Sequence, residues 1–468
     1  AYYIPGSLMT SPYWIYIMIT PSGERIEFRQ IGASDTFETN DSSYLQIKAK
    51  AAPDANQVVE NVTLTVRGTD GTEMLYEWSG GAYRVSQITD RNGNYITVEH
   101  DELGLLQKVT DTLGREINVN YVDGVYPKSI TQTWKTNNGA GSNTTHTWAE
   151  FDYVTIAVTP DFDPGLTVVG PTHGAHIKAL EMVTYADGSS TKFTYNDYAQ
   201  VWRIANHAPN DDLLNLVRTD LQTLASDQED VPRFTTTWTK AANFNTDQYG
   251  VPQEIKTEFT RTPSSSFSLP GSLTGSGTLI EIEMDGHPFE AVSKVWYGES
   301  GWKEGLVLAT EDWAKPTTDG SFGRQRWTWT DWAQDDTGAG IKTNPRVTET
   351  RVGDTANTKK TQIDYLLYPS TTISQYGLVS EVRVYDSDLS TVLKKQQTDY
   401  NLDSAYTNAR IIGLPEEVRL KDGSDTLWSK VTYGYDEDEF DEEANQVIAP
   451  IRHDTENFDE EFVVGRGN

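Results

Sequence analysis

Two consecutive stretches decide the fold of this chain: ITDRNGNYITVEHDELGLLQK begins at Ile88, and VTDTLGREINVNYVDGVYPKS begins at Val109. The second follows the first by 21 residues, and Gly93 and Gly114 keep the same spacing. A third copy, VTYADGSSTKFTYNDYAQVWRI, begins at Val183. A unit that recurs at a short fixed period must bury its apolar face against its neighbours. The chain is therefore predicted to be built by winding successive repeats.

Each repeat has the pattern of a β-hairpin. Apolar or aromatic residues predominate at the third, fifth and seventh positions after the glycine, and this period of two is typical of a half-buried strand. The glycine lies where a tight turn needs a positive φ. Hairpin turns are therefore predicted at Gly93, Gly114 and Gly188. The side chains predicted to be buried on one face of the strands are Ile96, Val98, Ile117, Val119, Phe193 and Tyr195.

The stretch from Val109 to Tyr121 resembles the repeat unit of the RHS, or YD-repeat, family. That unit has an apolar-Thr-Asp start, then Gly-Arg, then Tyr-Asp; residues 109–111, 114–115 and Tyr121 follow it. The aromatic-Asp pair is kept as His100-Asp101 in the first copy but is Tyr195-Asn196 in the third. The resemblance covers about residues 12–205. It implies an all-β fold in which hairpins coil into a curved sheet, a spiral shell or a solenoid-like body.

Composition limits the classes of function. The chain has 69 acidic and 38 basic residues, a net charge of −31, and no cysteine among its 468 residues. So acidic a body repels phosphate backbones and anionic lipids, which disfavours nucleic-acid and membrane-surface binding. The absence of cysteine excludes disulfides, thiolate metal sites and cysteine nucleophiles. No apolar run of about 20 residues occurs, so no membrane insertion is predicted.

Four regions are predicted along the chain. Residues 1–60 form a strand-rich region that leads into the array, and residues 61–205 form the YD-repeat array. Residues 206–344 form a divergent strand region with one helix and long loops. Residues 345–468 form a second array with a period of about 35 residues, marked by Tyr365, Tyr400 and Tyr435, and it is expected to be truncated at its C-terminus. The chain is therefore expected to be a piece of a longer polypeptide.

The single helix is predicted over Asp211–Ser226. Its leucines and valine fall three or four residues apart, and Asp211 is placed to cap its first turn. The apolar residues that define this spacing are Leu213, Leu214, Val217, Leu221 and Leu224.

Candidate ligand-binding residues are few. Asp436, Asp438 and Asp441 lie in an acidic run and are weak calcium candidates, because calcium takes six to eight oxygen ligands. A solvated acidic loop is the alternative, since no ordered Asp-x-Asp-x-Asp-Gly pattern is present. His173 and His176 are three residues apart, but nearby glycine and proline favour a surface loop over a metal pair. No cofactor and no catalytic residue is predicted.

Five tryptophans are candidates for a second type of site. Exposed indole rings can form a sugar-binding platform, whereas in a β-sheet they more often pack in the core. The residues concerned are Trp302, Trp313, Trp327, Trp329 and Trp332, and the wall-packing aromatics of the first array are Trp78, Tyr121, Phe193 and Tyr195.

Three functions are weighed. The family resemblance implies a non-enzymatic structural wall of a bacterial secreted or cell-surface protein, which encapsulates a toxic domain as a toxin shell or presents another domain. The alternative is an extracellular filament or adhesin subunit that binds glycans or partner subunits through outer loops. The remote alternative is a carbohydrate-active enzyme on a β-scaffold. The predicted partners are further repeats of the same polypeptide or like subunits, and glycans remain a candidate.

Overall fold

A computed structural model shows how these repeats are arranged. It describes residues 2–4, 13–20, 22–31, 35–49, 63–135, 141–162, 165–167, 170–221, 234–241, 255–286, 289–314, 322–336, 338–354, 356–435, 439–441 and 446–449. The chain divides into two compact units. Unit 1 comprises residues 1–115, 331–351 and 358–468, and unit 2 comprises residues 116–330 and 352–357.

The prediction of an all-β chain of side-by-side hairpins is confirmed. The strands that begin in unit 1 ahead of unit 2 are β1 (Tyr2–Ile4), β2 (Tyr13–Ile19), β3 (Arg25–Gln30), β4 (Thr36–Thr39), β5 (Gln46–Ala49), β6 (Leu64–Arg67), β7 (Glu73–Ser79), β8 (Ala82–Thr89), β9 (Tyr95–His100) and β10 (Leu106–Asp111). Those that follow, up to the return to unit 1, are β11 (Glu116–Val122), β12 (Tyr126–Lys135), β13 (Asn143–Val158), β14 (Ala175–Tyr185), β15 (Ser190–Tyr195), β16 (Val201–His207), β17 (Leu213–Leu221), β18 (Phe234–Ala241), β19 (Ile255–Leu269), β20 (Leu273–Gly286), β21 (Phe289–Tyr297), β22 (Val307–Ala314) and β23 (Gly323–Ala333).

The remaining strands are β24 (Arg346–Gly353), β25 (Thr358–Leu367), β26 (Ser374–Tyr385), β27 (Val392–Tyr400), β28 (Pro415–Asp422), β29 (Leu427–Thr432), β30 (Glu439–Asp441) and β31 (Gln446–Ala449). Helix in the described part of the chain is confined to α1 (Ser404–Asn408) and one 3-10 turn (Gly301–Lys303). Within these ranges, no helix has the length and apolar character needed to cross a bilayer.

A ladder of apolar side chains crosses the first strands of unit 1. In register, Phe37 pairs with Ile47, Ile47 with Val66, and Val66 with Met74, which pairs in turn with Ile88. Residues directly opposite on antiparallel strands lie on one face, so their side chains pack together. Phe37 is completely buried, and Tyr16 meets it edge-to-face at a ring-centroid distance of 4.7 Å. This ladder is the core of unit 1.

Unit 1 also joins segments that are far apart in sequence. The amide of Asn344 donates to the carbonyl of Asn40 at 2.9 Å, and the amide of Ile412 donates to the carbonyl of Thr69 at 2.7 Å. These backbone bonds bring the residue that precedes the second repeat array, and the array itself, against the early strands. We call this set of contacts the seam of unit 1.

Unit 2 has its own core, formed by β19 and β21–β23. Its buried members include Phe267, Trp296, Ala309 and Trp327, and both Ala309 and Trp327 have no exposed surface. Gly353 lies against the Trp327 ring: a Cβ at Gly353 would come within 2.5 Å of the indole carbons. The absence of a side chain at this position therefore makes room for the buried indole.

The predicted helix is wrong. Leu213–Leu221 is strand β17, which pairs with β16 on one side and β18 on the other. Asp211 does not cap a helix; it lies in the preceding turn with a φ of 66°. Pairing on both edges satisfies the backbone hydrogen bonds of this segment, and such tertiary pairing overrides a leucine spacing of three to four residues. Leu224 lies outside the described residues.

The prediction of a buried face on the repeat strands is only partly met. Ile117 is exposed at 36%. The other five side chains are half-buried rather than buried. They do lie at alternating positions on paired strands, with Val98 opposite Val109 and Val119 opposite Ile130. The period of two therefore predicted the strands correctly but overestimated how completely their face is covered.

Candidate functional surface: the repeat wall

The repeat turns are built around an aspartate. Asp111 accepts backbone hydrogen bonds from Leu113 at 3.0 Å and Arg115 at 2.9 Å through its side chain, and its carbonyl accepts the amide of Gly114 at 2.9 Å. Gly114 has a φ of 72°, which suits glycine best. The same pair of side-chain bonds, to the second and fourth residues onward, is made by Asp90, Asp101, Asn196 and Asp422.

All three predicted turn glycines lie in hairpin turns with positive φ. Gly93, Gly114 and Gly188 have φ values of 82°, 72° and 85°. The Asp of the Thr-Asp pair and the Asp of the Tyr-Asp position therefore have the same role, because each closes the turn that follows it. We call the repeated strands together with these turns the wall.

Hydrogen bonds lower the pKa of two turn carboxylates, Asp111 and Asp388. The Arg115 side chain, followed by the backbone amide of Arg115, lowers the pKa of Asp111. In the second array, hydrogen bonds from the Thr391 hydroxyl and the backbone amides of Thr391 and Ser390 lower the pKa of Asp388 to about 2. Hydrogen bonding to the charged form is the cause in both turns. These carboxylates therefore serve as acceptors for the backbone amides of their turns.

A tyrosine marks a second recurring position in the wall. Its hydroxyl donates to a carbonyl on the preceding paired strand: Tyr153 to Pro127 at 2.7 Å, Tyr195 to Leu180 at 2.6 Å, Tyr365 to Val347 at 2.8 Å, Tyr400 to Val379 at 2.9 Å and Tyr435 to Pro415 at 2.9 Å. The register towards the following strand shifts directly before Tyr153, Tyr195, Tyr365 and Tyr400. The hydroxyl thus ties a bulged strand to its other neighbour.

Removal of one such hydroxyl tests its contribution to stability. We expect Tyr400→Phe to lower the free energy of unfolding by about 1 kcal/mol, because the Val379 carbonyl loses its donor. Urea unfolding followed by circular dichroism measures the change. Tyr95→Phe is the matched control, since Tyr95 is 44% exposed and its hydroxyl makes no hydrogen bond within the described ranges. Equal losses in the two variants would contradict the assigned role.

The same tyrosines predict a loss of stability in alkali. Burial raises the pKa of Tyr195, Tyr365 and Tyr400 above the ordinary value of about 10. Above pH 10 the unfolded chain releases these protons while the folded chain keeps them, so the free energy of unfolding falls as pH rises. The contribution of these tyrosines to the free energy of unfolding is fully present below pH 10. Urea midpoints measured from pH 8 to pH 11 should decline above pH 10, and Tyr400→Phe should decline less steeply.

The second array adds a ladder of ion pairs that was not predicted from the sequence. Arg383 pairs with Asp364 at 2.6 Å and with Glu381 at 3.2 Å. One repeat later, Arg419 pairs with Asp399 at 2.6 Å and with Glu417 at 3.2 Å. Each aspartate directly precedes the tyrosine of its repeat. In the sequence, these ion pairs could have been predicted from a Glu-x-Arg pattern on one strand and an Asp-Tyr pair on an earlier strand.

The candidate ligand residues lie only partly within the described part of the chain. Asp436 and Asp438 lie outside the described residues, and Asp441 lies on β30. The Nδ1 atom of His173 is 3.4 Å from the carbonyl of Pro160, and His176 pairs with Ala157 in the sheet. Across the described ranges, no group of three or more His, Cys, Asp or Glu side chains is placed to hold a metal ion.

The five tryptophans for which core packing and a sugar platform were both considered differ in burial. Trp327 has no exposed surface and the other four are half-buried. Glu311 accepts from the Trp313 indole at 3.0 Å and pairs with Arg324 at 2.8 Å. The core alternative is therefore confirmed for Trp327. Among the side chains that the structure describes, the exposed tryptophans are Trp134, Trp148 and Trp428, which were not singled out from the sequence.

One open depression of about 520 Å³ lies on unit 2. It is lined by Asp152, Tyr153, Glu181, Met182 and Lys192. Asp152 pairs with Lys128 at 3.0 Å. Lys192 pairs with Asp211 at 3.1 Å. Two of the three charged side chains of this depression, Asp152 and Lys192, are thus engaged with partners.

Comparison with known proteins gives structural neighbours only. No protein-family model matches the sequence, and no curated protein matches it. A crystal structure of TcdB2-TccC3-TEV is 9% identical with a TM-score of 0.33, and the match covers 91% of this chain and 19% of that chain. The chain thus spans about a fifth of that neighbour's length.

Two further neighbours are bacterial. A porin-like protein from Bacteroides uniformis is 10% identical with a TM-score of 0.20, over 76% of this chain and 89% of that chain. The Photorhabdus luminescens Tc holotoxin pore is 7% identical with a TM-score of 0.16, over 88% of this chain and 27% of that chain.

Proposed function

We propose that this chain is a non-enzymatic wall segment of a secreted or cell-surface RHS-type protein, where it encloses or presents another domain. The observation that carries the proposal is the role of the repeated polar residues. The turn aspartates bind backbone amides of their own turns, and the repeat tyrosines bind backbone carbonyls of a neighbouring strand, so both are used to build the wall. The family resemblance of the Val109–Tyr121 unit supplies the biological setting.

The physical properties of the wall suit this role. Each hairpin buries apolar surface chiefly against its neighbours, so the body can be extended by adding further hairpins. Its high negative charge keeps a strand-rich surface soluble and discourages phosphate-bearing ligands. The proposed partners are accordingly further repeats of the same polypeptide or like subunits, in an extracellular setting. The proposed wall needs no cofactor; calcium is a candidate only through the acidic run at residues 436–443.

The first experiment is a search for turnover. Purified chain is incubated with polysaccharide, peptide and ester substrates, with and without calcium. The proposal expects no turnover above that of the heat-denatured chain. Turnover that disappears on mutation of a single carboxylate, for example Asp152→Asn or Glu181→Gln in the depression of unit 2, would overturn it in favour of the enzyme.

The second experiment distinguishes a shell from a fibre. Negative-stain images of the intact polypeptide that contains this segment should show a closed body with internal density. Protease should then cleave the enclosed domain only after the turns are weakened, for instance by Asp111→Ala. Filaments with regular contacts between chains would instead favour the adhesin alternative.

A further inference from the structure

The exposed aromatic side chains of one hairpin in unit 2 form a separate feature. Trp134 on β12 and Trp148 on β13 are 41% and 46% exposed. His146 lies between them, with ring-centroid distances of 5.1 Å to Trp134 and 4.5 Å to Trp148. We propose that this surface, together with Gln132, is a binding site for a neutral glycan, and we call it the tryptophan platform. The platform is independent of the wall function.

The strand register places these residues together. Gln132 is directly opposite His146, so both lie on one face of the β12–β13 pair. Trp134 and Trp148 are two residues onward from them on their respective strands, and side chains two apart share a face. The ring centroids of the two tryptophans are 6.5 Å apart, with 45° between their planes.

The orientation of one indole is fixed in advance. Trp148 donates its Nε1 hydrogen to the side-chain oxygen of Gln132 at 3.2 Å. The indole edge is therefore satisfied, and a ring face is left for a ligand. A ring that is already held loses little conformational entropy on binding, which favours affinity.

The stretch that carries the platform lacks carboxylates in a strongly acidic protein, and its charged residues are Lys128 and Lys135. The 26 residues of Gly124–Ala149 contain no Asp or Glu, although the whole chain has 69. Thr144 is directly opposite Trp134, so its hydroxyl lies on the same face as the aromatic rings. Aromatic faces beside hydroxyl and amide groups match a pyranose ring, which has an apolar C–H face and a hydroxyl-bearing edge.

Other occupants fit less well. A nucleic acid would also stack on indole rings, but it needs a cationic groove along its backbone, and the net charge of −31 opposes it. A second copy of this chain would bring the same charge. A stable protein interface buries about 800 Å² on each partner, whereas a large aromatic side chain buries only about 150–250 Å². Two half-exposed tryptophans are thus sized for one or two sugar rings.

The test uses four neutral oligosaccharides: cellohexaose, chitohexaose, maltohexaose and xylohexaose. Each is titrated into the full chain while intrinsic tryptophan fluorescence and isothermal heat are recorded. Saturable binding to at least one of them is expected. Trp134→Ala and Trp148→Ala should each weaken it at least tenfold. Trp428→Ala, which removes a tryptophan that is 58% exposed on unit 1, should leave the affinity unchanged.

The outcomes separate the alternatives. Absence of saturable binding to all four sugars overturns the platform, as does equal weakening by all three variants. Concentration-dependent dimers in sedimentation that Trp134→Ala abolishes would also overturn it, in favour of self-association. Binding to a single-stranded oligonucleotide in place of the sugars would do the same. None of these results changes the turnover or imaging tests of the wall.

Discussion

Trp327→Ala is expected to destabilise unit 2 by about 3–5 kcal/mol, the range for removing a large aromatic side chain from a core. The indole has no exposed surface, and it packs with Trp296 and Ala309 in the core of β19 and β21–β23. It also fills the space left open at Gly353. The paired strand β22 holds the backbone of β23 in place, so the cavity closes only partly and most of the transfer and packing free energy is lost.

Two further variants test the cause of this destabilisation as well as its size. The Trp327 indole nitrogen is buried with no hydrogen-bond partner within the described ranges. Trp327→Phe removes this unpaired polar group and keeps most of the ring, so its loss should be well below that of the alanine variant. Gly353→Ala should destabilise by about 1–3 kcal/mol through overpacking against the same ring.

Urea unfolding followed by tryptophan fluorescence and by circular dichroism measures these changes. Because the chain has two compact units, the two signals are compared for coincidence before a single free energy is derived. Trp428→Ala is the surface control, with an expected effect within about 0.5 kcal/mol. A Trp327→Ala variant as stable as this control would show that the indole is not a core residue.

Local chemistry in the sequence predicted the hairpins well. The glycines at Gly93 and Gly114 and the aspartates before them define turns whose hydrogen bonds close within five residues. Alternation predicted the strands for the same reason, since it reflects the two faces of one strand. The 35-residue spacing of Tyr365, Tyr400 and Tyr435 was visible in the sequence, but their carbonyl partners were not, because each lies on another strand.

Non-local features could not be obtained in this way. The leucine spacing in residues 213–221 favours a helix by itself, and only the strands on either side make the segment a strand. The exposure of Ile117 depends on what covers its face, which no local pattern states. The platform of Trp134 and Trp148 was detectable as a carboxylate-free stretch, yet its convergence needed the register of two strands. What limits prediction from the sequence is that these residues contact partners on other strands, which no local pattern identifies.

Arg410 is the clearest case of such a non-local residue, and its removal is the second large effect expected. The side chain is 4% exposed in the seam of unit 1. Its Nη1 donates to a carboxylate oxygen of Glu38 at 3.2 Å, its other terminal nitrogen donates to the carbonyl of Tyr44, and the guanidinium lies 5.6 Å from the centre of the Tyr376 ring. One side chain therefore joins segments more than 360 residues apart in sequence.

Arg410→Ala is expected to lower the free energy of unfolding by about 3 kcal/mol, the lower end of the range for breaking a buried pair. The lower end applies because Glu38 keeps 32% side-chain exposure, so solvent partly replaces its lost partner. The Tyr44 carbonyl also loses a donor. Arg410→Lys should recover only part of the loss, since an ammonium cannot bind both acceptors and stack on Tyr376 as a planar guanidinium does.

Two measurements distinguish the loss of the seam contacts of Arg410 from the mere loss of a positive charge. Urea unfolding gives the size of the effect, and Lys359→Ala, at an exposed position of unit 1, is the charge-matched control with an effect within about 0.5 kcal/mol. Limited proteolysis then locates it: cleavage near residues 401–412 should accelerate in Arg410→Ala only, because the seam anchors that segment to the early strands. An Arg410→Ala variant that unfolds like the control and resists protease equally would show that unit 1 is held by its hairpin ladder alone.

A double-mutant cycle with Glu38→Gln measures the coupling free energy between Arg410 and Glu38. A coupling near zero would assign the loss to the Tyr44 carbonyl and Tyr376 instead.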